Sequence, residues 1–252
     1  MPTAASGDNL YIGRGKFYFD RFDPISLLPT GVRRFVGEVD KGEISISSTN
    51  KTRYTTTKAS NNKIASIDIN QTHTIAVDLM EFTKDNVALA LLGTASSFTQ
   101  SATPITGESL CTTHAVGDVL QLASRNPSSL VLTGPSSTTL VLGTDYEIED
   151  QKLGLVRMLT SGTTVSAAYT PGSGSLSRIA AGTNVAIYGR LIFVGDPMNG
   201  PGFDVEIWKV KFMSGGVFAL LSDDFDKMSL SGEILDDSTN HPSQPLYQLT
   251  YR

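Results

Sequence analysis

The chain has 252 residues, of which 40% are hydrophobic and 18% are charged, and its formal net charge is −5. The hydrophobic content is enough for a sizeable core, and the low charged fraction, with abundant Ser, Thr and Gly, favours a sheet-rich fold. Because this acidic chain has no basic cluster longer than Arg33-Arg34, the composition argues against a surface that grips nucleic acid with concentrated Lys and Arg.

The first part of the chain is predicted to consist of strands joined by turns. Residues 10–22 are dense in aromatic side chains and are interrupted by Gly13 and Gly15, which predicts a strand with a bulge or a close backbone approach. Turn residues follow at 23–31, so a hairpin that returns through residues 33–37 is expected. Residues 41–47 and 64–80 alternate between apolar and polar side chains, as strands do.

The segment between these two alternating runs, residues 48–63, is rich in Thr, Asn and Lys and has almost no aliphatic side chain. Burial cannot offset the entropy lost on ordering such a segment, so we predict a long loop. Loops of this length usually have a task, such as holding a neighbouring molecule.

One short helix is predicted at residues 83–93. Thr83 can cap its N-terminus, the interior favours a helix, and Gly93 can serve as its C-terminal stop. The polar residues 94–106 that follow are predicted to lack regular structure.

The second half of the chain is predicted to hold two groups of strands. Short strands are expected at 116–123, 129–132, 139–142, 146–149, 154–158 and 164–169, and longer ones at 184–194, 203–213, 226–235 and 246–251. We interpret residues 105–175 as a small inserted all-β module, and residues 1–104 with 176–252 as its host β domain.

The alternation within residues 203–213 slips by one position near Trp208 and Lys209. This slip predicts a β-bulge. Trp208 would then lie at a sheet edge or an interface, or in the core.

Catalytic and metal-binding patterns are sparse. The three histidines, His73, His114 and His241, lie far apart and have no cysteine or carboxylate at ligand spacing. No nucleophile elbow or phosphate-binding loop occurs, and Gly13-Arg14-Gly15 precedes a strand rather than a helix. We therefore predict a chain that is not an enzyme and that has no cofactor and no metal.

Acidic pairs and the cysteine are interpreted in the same way. Asp223-Asp224 and Asp236-Asp237 stand beside turn residues, which favours solvated turns over a calcium site. Cys111 is the only cysteine, so no intramolecular disulfide can form, and the chain suits a reducing cytoplasm. Without an apolar run long enough for a membrane span, we expect no membrane insertion.

Several segments resemble a known family. Residues 9–22 (NLYIGRGKFYFDRF), 31–39 (GVRRFVGEV) and 44–47 (ISIS) resemble the start of the major tail tube proteins of long-tailed, non-contractile bacteriophages. The strand at 74–79 followed by the helix at 83–93 is similar to the same plan, and residues 184–252 match it loosely. The module at 105–175 is similar to a surface-exposed insertion that some members carry.

The resemblance implies a mainly β fold, an antiparallel β-sandwich or open barrel with one short flanking α-helix and the inserted module on the tube exterior. It implies hexameric rings that stack into a tube, around a channel through which DNA passes during genome ejection. The partners would be further copies of the chain, the tail tip, tape-measure and terminator proteins, and DNA only in passage. The protein would be made in the host cytoplasm and located in the virion tail.

Two sets of residues are candidates under this hypothesis. Carboxylates on polar strand faces could line the channel and repel DNA, and the candidates are Glu43, Asp68 and Asp78. The predicted loop at 48–63 could lie across the next ring and become ordered there, through Lys51, Arg53, Tyr54 and Lys58.

Two alternatives remain open. One is a β-sandwich that binds sugar or protein on a particle or cell surface, although here most aromatic residues lie within predicted strands rather than loops. The other is a related virion part, such as a tail terminator, a capsid decoration protein or the tube of a contractile machine. Long tubes would distinguish the tube subunit from a terminator, which would form a single ring.

Overall fold

The structure is a computed structural model that describes residues 7, 10–57, 59, 61–213 and 218–252. The strands are β1 (Gly15–Arg21), β2 (Arg34–Phe35), β3 (Val39–Tyr54), β4 (Lys63–Leu79), β5 (Thr94–Gln100), β6 (Ile105–His114), β7 (Val119–Gln121), β8 (Ser128–Thr133), β9 (Tyr146–Asp150), β10 (Leu155–Met158), β11 (Gly162–Thr170), β12 (Gly174–Ala180), β13 (Ala186–Gly195), β14 (Phe203–Met213), β15 (Met228–Ile234) and β16 (Tyr247–Tyr251). The helix α1 spans Lys84–Ala90, and a short 3-10 helix spans Pro135–Ser137.

The chain divides into two compact units. The first unit consists of Met1–Ala95 and Ile179–Arg252, and the second unit is Ser96–Arg178. Each unit has its own cluster of buried apolar side chains. The mainly β, antiparallel fold class predicted from the sequence is confirmed, and the described strands do not close into a barrel.

The first unit is built on one large antiparallel sheet. Its strand order is β2-β1-β13-β14-β15-β4-β3, and β16 pairs with β14 beside this path. The strong alternation in β4 buries Ile75, Val77 and Leu79 on one face. Side chains from β14, β15 and α1 complete this core, among them Val210, Phe212, Met228, Leu230 and Leu89.

The helix begins as predicted but ends differently. The Thr83 hydroxyl accepts a hydrogen bond from the Asn86 backbone N–H, which caps the first turn. The last turn closes at Leu91, and Leu92 rather than Gly93 takes the left-handed conformation, with φ 47°. Gly93 is needed for another reason, because a Cβ there would lie 2.7 Å from the Ala180 carbonyl oxygen.

The predicted loop at 48–63 is wrong for residues 48–54 and 63, which lie in strands. β3 continues to Tyr54 and β4 begins at Lys63, so the two strands form one long antiparallel hairpin. Lys58, one of the candidate loop residues, lies outside the described residues. The sequence argument considered side-chain burial alone, but cross-strand hydrogen bonds satisfy this backbone, and its threonines suit an extended chain.

The bulge predicted near Trp208 is confirmed. The register between β13 and β14 shifts between Gly189 and Leu191, which face Val210 and Ile207. Trp208 is buried, and its indole N–H donates to the Gln244 carbonyl oxygen at 2.7 Å. The bulge is also where β14 changes partner, since its first half pairs with β16 and its last residues pair with β15.

The second unit contains two three-stranded sheets, β7-β10-β9 and β6-β11-β8. Two predictions fail here. Residues 139–142 form only isolated bridges rather than a strand, and residues 94–106, predicted to be irregular, contain β5 and the start of β6. Polar strands such as β5 escape a search for apolar alternation.

The chain enters and leaves the second unit through β5 and β12, which pair with each other. Gln100 is buried at the end of β5, and its side chain binds the backbone of the second unit. Its amide donates to the carbonyl oxygens of Arg125 at 2.7 Å and Gly172 at 2.6 Å, and its oxygen accepts from the Arg125 N–H.

Candidate assembly surface

The distal part of the β3–β4 hairpin is the most exposed part of the sheet. Every residue of 45–54 in β3 and of 63–72 in β4 is exposed, on both faces. We call these two segments the ribbon. Its large apolar side chains are between 46% and 67% exposed, and they are Ile46, Tyr54, Ile64, Ile67 and Ile69. A two-stranded ribbon with aliphatic side chains open to water on both faces gains little from its own burial.

The base of the same hairpin carries a charged cluster rather than isolated acids. Lys41 Nζ lies 2.8 Å from a Glu43 carboxylate oxygen. Lys227, which stands just before β15, lies 3.0 Å from a carboxylate oxygen of Asp78 and 3.0 Å from one of Asp40. Two of the three candidate channel acids, Glu43 and Asp78, are therefore paired with lysines.

The Asp78 carboxylate is the electrostatic centre of this cluster. A hydrogen bond from the Ser229 side chain, followed by a hydrogen bond and charge attraction from Lys227, holds its pKa below the ordinary value, against the opposing effect of burial. The pKa of Lys227 is raised in turn by its hydrogen bonds to Asp40 and Asp78. At the base of the hairpin, Lys227 thus lies between the carboxylates of Asp40 and Asp78.

Asp68 is separate from this network. It lies in the ribbon opposite Asn50, ten residues along β4 from Asp78, which corresponds to about 30 Å along a strand. Within one copy the structure therefore does not bring the three candidate acids together.

The candidate contact residues of β3 all lie near the tip of the ribbon. Lys51 faces Ile67, Arg53 faces Ala65, and Tyr54 faces Lys63 across the hairpin. Their side chains are exposed, and Lys51 lies directly across from the exposed Ile67. The ribbon tip therefore presents basic and apolar side chains side by side.

The outer edge of β3 is a second feature of this surface. β3 is the last strand in the described sheet order, so its 16 residues have a strand partner on one side only. The N–H and C=O groups along such an edge can pair with another chain.

The large sheet curls so that β3 approaches β1. A cavity of about 480 Å³ lies there, between β1, β3, β13 and β14. Phe17, Phe193 and Phe203 line its wall, and charged side chains such as Arg14 and Glu43 stand at its rim. The curl is tight near this cavity, because a Cβ at Gly42 would lie 2.5 Å from the Phe17 ring.

The described residues contain no group of three His, Cys, Asp or Glu side chains placed to hold a metal ion. Their only α-helix is too short to cross a membrane.

A family model described as Protein of unknown function UCP028589 matches residues 10–248, which include all of the second unit and most of the first. The chain belongs to that family. A search of curated proteins finds no match.

Sequence reasoning missed three features of this surface. Lys227, which neutralises Asp78, is 149 positions away in the chain, and no local pattern indicates that pairing. The exposure of the β4 isoleucines was not indicated by the sequence, because alternation shows that a strand has two faces but not which one is covered. The β-branched content of residues 48–57 was the signal that could have extended β3.

Proposed function

We propose that this chain is the structural subunit of a bacteriophage tail tube, which assembles as hexameric rings stacked around a channel for DNA. The observation that carries the proposal is the ribbon, whose large apolar side chains are open to water on both strands. A monomer gains little from keeping such a ribbon extended, whereas a neighbouring subunit that covers it would bury those side chains.

The unpaired edge of β3 supports the same proposal. Long exposed edge strands invite pairing with another chain, and proteins that function as monomers usually protect them. In a ring, the edge of one subunit would pair with the sheet of the next, so a continuous wall would replace the open edges. Further copies of the chain are the main partners, with tail tip, tape-measure and terminator proteins at the ends.

The charge of the chain is compatible with DNA in passage. With a net charge of −5, a wall of such subunits would hold phosphate weakly. The pairing of Glu43 and Asp78 with lysines means that these acids contribute little uncompensated charge, so Asp68 is the candidate whose charge would be most available to a channel.

The experiment is negative-stain electron microscopy of the purified chain over a concentration and salt series, with sedimentation velocity on the same samples. We expect hollow tubes or stacked rings for the unmodified chain. In the variant Ile64→Ser/Ile67→Ser, we expect the monomer to stay folded, because both side chains are exposed, and assembly to weaken at least about tenfold through lost interface burial.

The matched control is Val141→Ser, an exposed aliphatic residue of the second unit, which should assemble as the unmodified chain does. Assembly of the ribbon variant at unchanged concentration would contradict the role given to the ribbon. Persistent monomers of the unmodified chain at every concentration would favour the surface-binding alternative, for which the aromatic-lined cavity would be the first place to look.

A further inference from the structure

The loop that precedes β15 exposes apolar side chains among acids. In residues 220–226 (LLSDDFD), Leu220, Leu221 and Phe225 are 85% to 94% exposed, and three aspartates accompany them. We call this segment the acidic loop. Three large apolar side chains presented together in one short loop are typical of a contact surface rather than of a solvated turn.

The acidic loop is held on the β3–β4 side of the first unit. Lys227, the next residue, is bound to Asp40 of β3 and Asp78 of β4. Before the loop, the Phe218 ring lies 5.9 Å from the Phe82 ring, just after β4. These anchors fix the base of the loop while its apolar side chains remain open to solvent.

A groove with basic rather than acidic side chains lies at the ends of β1, β13 and β14. It has a volume of about 420 Å³ and is lined by apolar side chains that include Phe22, Leu27 and Val185. Arg21 and Lys211 also line it, and no carboxylate does. We call it the basic groove. Val185, at its rim, is 96% exposed.

The charges of the basic groove are available to a partner. Glu233 stands opposite Lys211 in the β14–β15 register. Among the described residues, however, neither Arg21 nor Lys211 lies within 4.0 Å of a carboxylate oxygen. A segment with acids beside large apolar side chains therefore complements the groove in both charge and polarity.

We infer that the acidic loop of one copy occupies the basic groove of a second copy, and this inference rests on the proposed assembly. The loop is tethered to β3 and β4, the groove is formed by β1, β13 and β14, and β15 lies between them in the strand order. Two different surfaces thus meet in a head-to-tail contact, which generates a closed ring when the rotation between copies closes.

Charge reversal tests the contact. The loop variant is Asp223→Lys/Asp224→Lys, and the groove variant is Arg21→Glu/Lys211→Glu. Each variant alone places like charges together in every loop–groove contact. Association measured by sedimentation should therefore weaken at least about tenfold. An equimolar mixture restores opposite charges in every loop–groove contact and should recover association. The control reversal Asp85→Lys/Asp196→Lys, at two exposed acids outside both surfaces, should leave association unchanged.

The mixture also separates contact between copies from insertion of the loop into its own groove. If the loop entered its own groove, a single chain with all four substitutions would recover association, but the mixture of the two variants would not. That result would overturn the inference, as would unchanged association of both single variants when they are folded by circular dichroism.

A cysteine pair gives a second test without charge changes. In chains carrying Cys111→Ser, one copy receives Phe225→Cys and the other Val185→Cys, and the two are mixed under mild oxidation. We expect disulfide-linked heterodimers in at least about fivefold excess over the homodimers, by mass spectrometry. A control copy with Val116→Cys, an exposed position in the second unit, should give no such excess.

The two tests distinguish this contact from the tube itself. Heterodimers without tubes would support the loop–groove contact and count against the proposed tube. Tubes that persist with both reversed variants and give no excess of heterodimer would overturn the contact and leave the tube proposal standing.

Discussion

Single buried polar residues fix the geometry of the first unit, and Asn86 is the clearest example. This helix residue is fully buried, and its amide donates to the carbonyl oxygens of Val36 at 2.7 Å and Glu81 at 2.8 Å. Its oxygen accepts from an Arg34 guanidinium N–H at 2.6 Å. One side chain thus joins α1 to the segments before β3 and after β4.

Asn86→Ala should lower the free energy of unfolding by about 2–4 kcal/mol, because it leaves the buried Val36 carbonyl, the part-buried Glu81 carbonyl and a guanidinium without their partner. Urea unfolding followed by circular dichroism measures this loss. Lys84→Ala, an exposed change in the same helix turn, is the control and should stay within about 0.5 kcal/mol. A loss below about 1 kcal/mol for Asn86→Ala would show that water replaces the amide.

The charged network around Asp78 predicts a pH dependence. The folded pKa of Asp78 lies below its ordinary value of 3.8, so its contribution to stability is present above about pH 4 and is lost as the pH falls through the folded pKa. Asp78→Asn should therefore melt at a lower temperature than the unmodified chain at pH 6, and the difference should shrink below pH 4.

Thermal unfolding from pH 2.5 to 7 measures this effect. Asp68→Asn is the control, because Asp68 makes no ion pair among the described residues, and it should melt with the unmodified chain at pH 6. A melting difference for Asp78→Asn that is constant down to pH 2.5 would mean that the carboxylate charge contributes nothing to the network.

At the scale of elements, the curl of the large sheet depends on a glycine. β3 approaches β1 where Gly42 meets the Phe17 ring, and a Cβ at position 42 would lie 2.5 Å from that ring. Phe17 is itself packed on Phe193 of β13, with ring centroids 4.8 Å apart. The ring therefore has little room to move away.

Gly42→Ala should destabilise the first unit by about 1–3 kcal/mol through this overlap. Gly174→Ala is the matched control, since a Cβ there has nothing within 4 Å, and it should be neutral or slightly stabilising. Chemical unfolding of both variants checks the pair. Equal stability of the two would show that the sheet can uncurl at no cost.

Strand type and helix position could be predicted from the sequence because alternation and capping are local signals. The alternating run of β4, the Thr83 cap and the slip at Trp208 all appear in the structure as strand, helix start and bulge. The extent of β3 could not be predicted from burial, since its outer half is stabilised by backbone pairing and not by a core. The ion pairs of Asp78 and the basic groove depend on residues far apart in the chain, so only the fold brings them together.

At the scale of the whole molecule, the first unit carries the surfaces on which the proposed assembly rests. The ribbon, the outer edge of β3 and the acidic loop all belong to this unit. The second unit has its own core. The proposed assembly therefore depends on the first unit.

The most direct measurement of this account is amide hydrogen exchange of the ribbon at concentrations below and above assembly. Exchange reports local opening, and a ribbon with no cover should open readily in the monomer. We predict that protection of residues 45–54 and 63–72 rises at least about tenfold on assembly, while protection within the core of the second unit stays the same. Unchanged protection of the ribbon at every concentration would contradict the account.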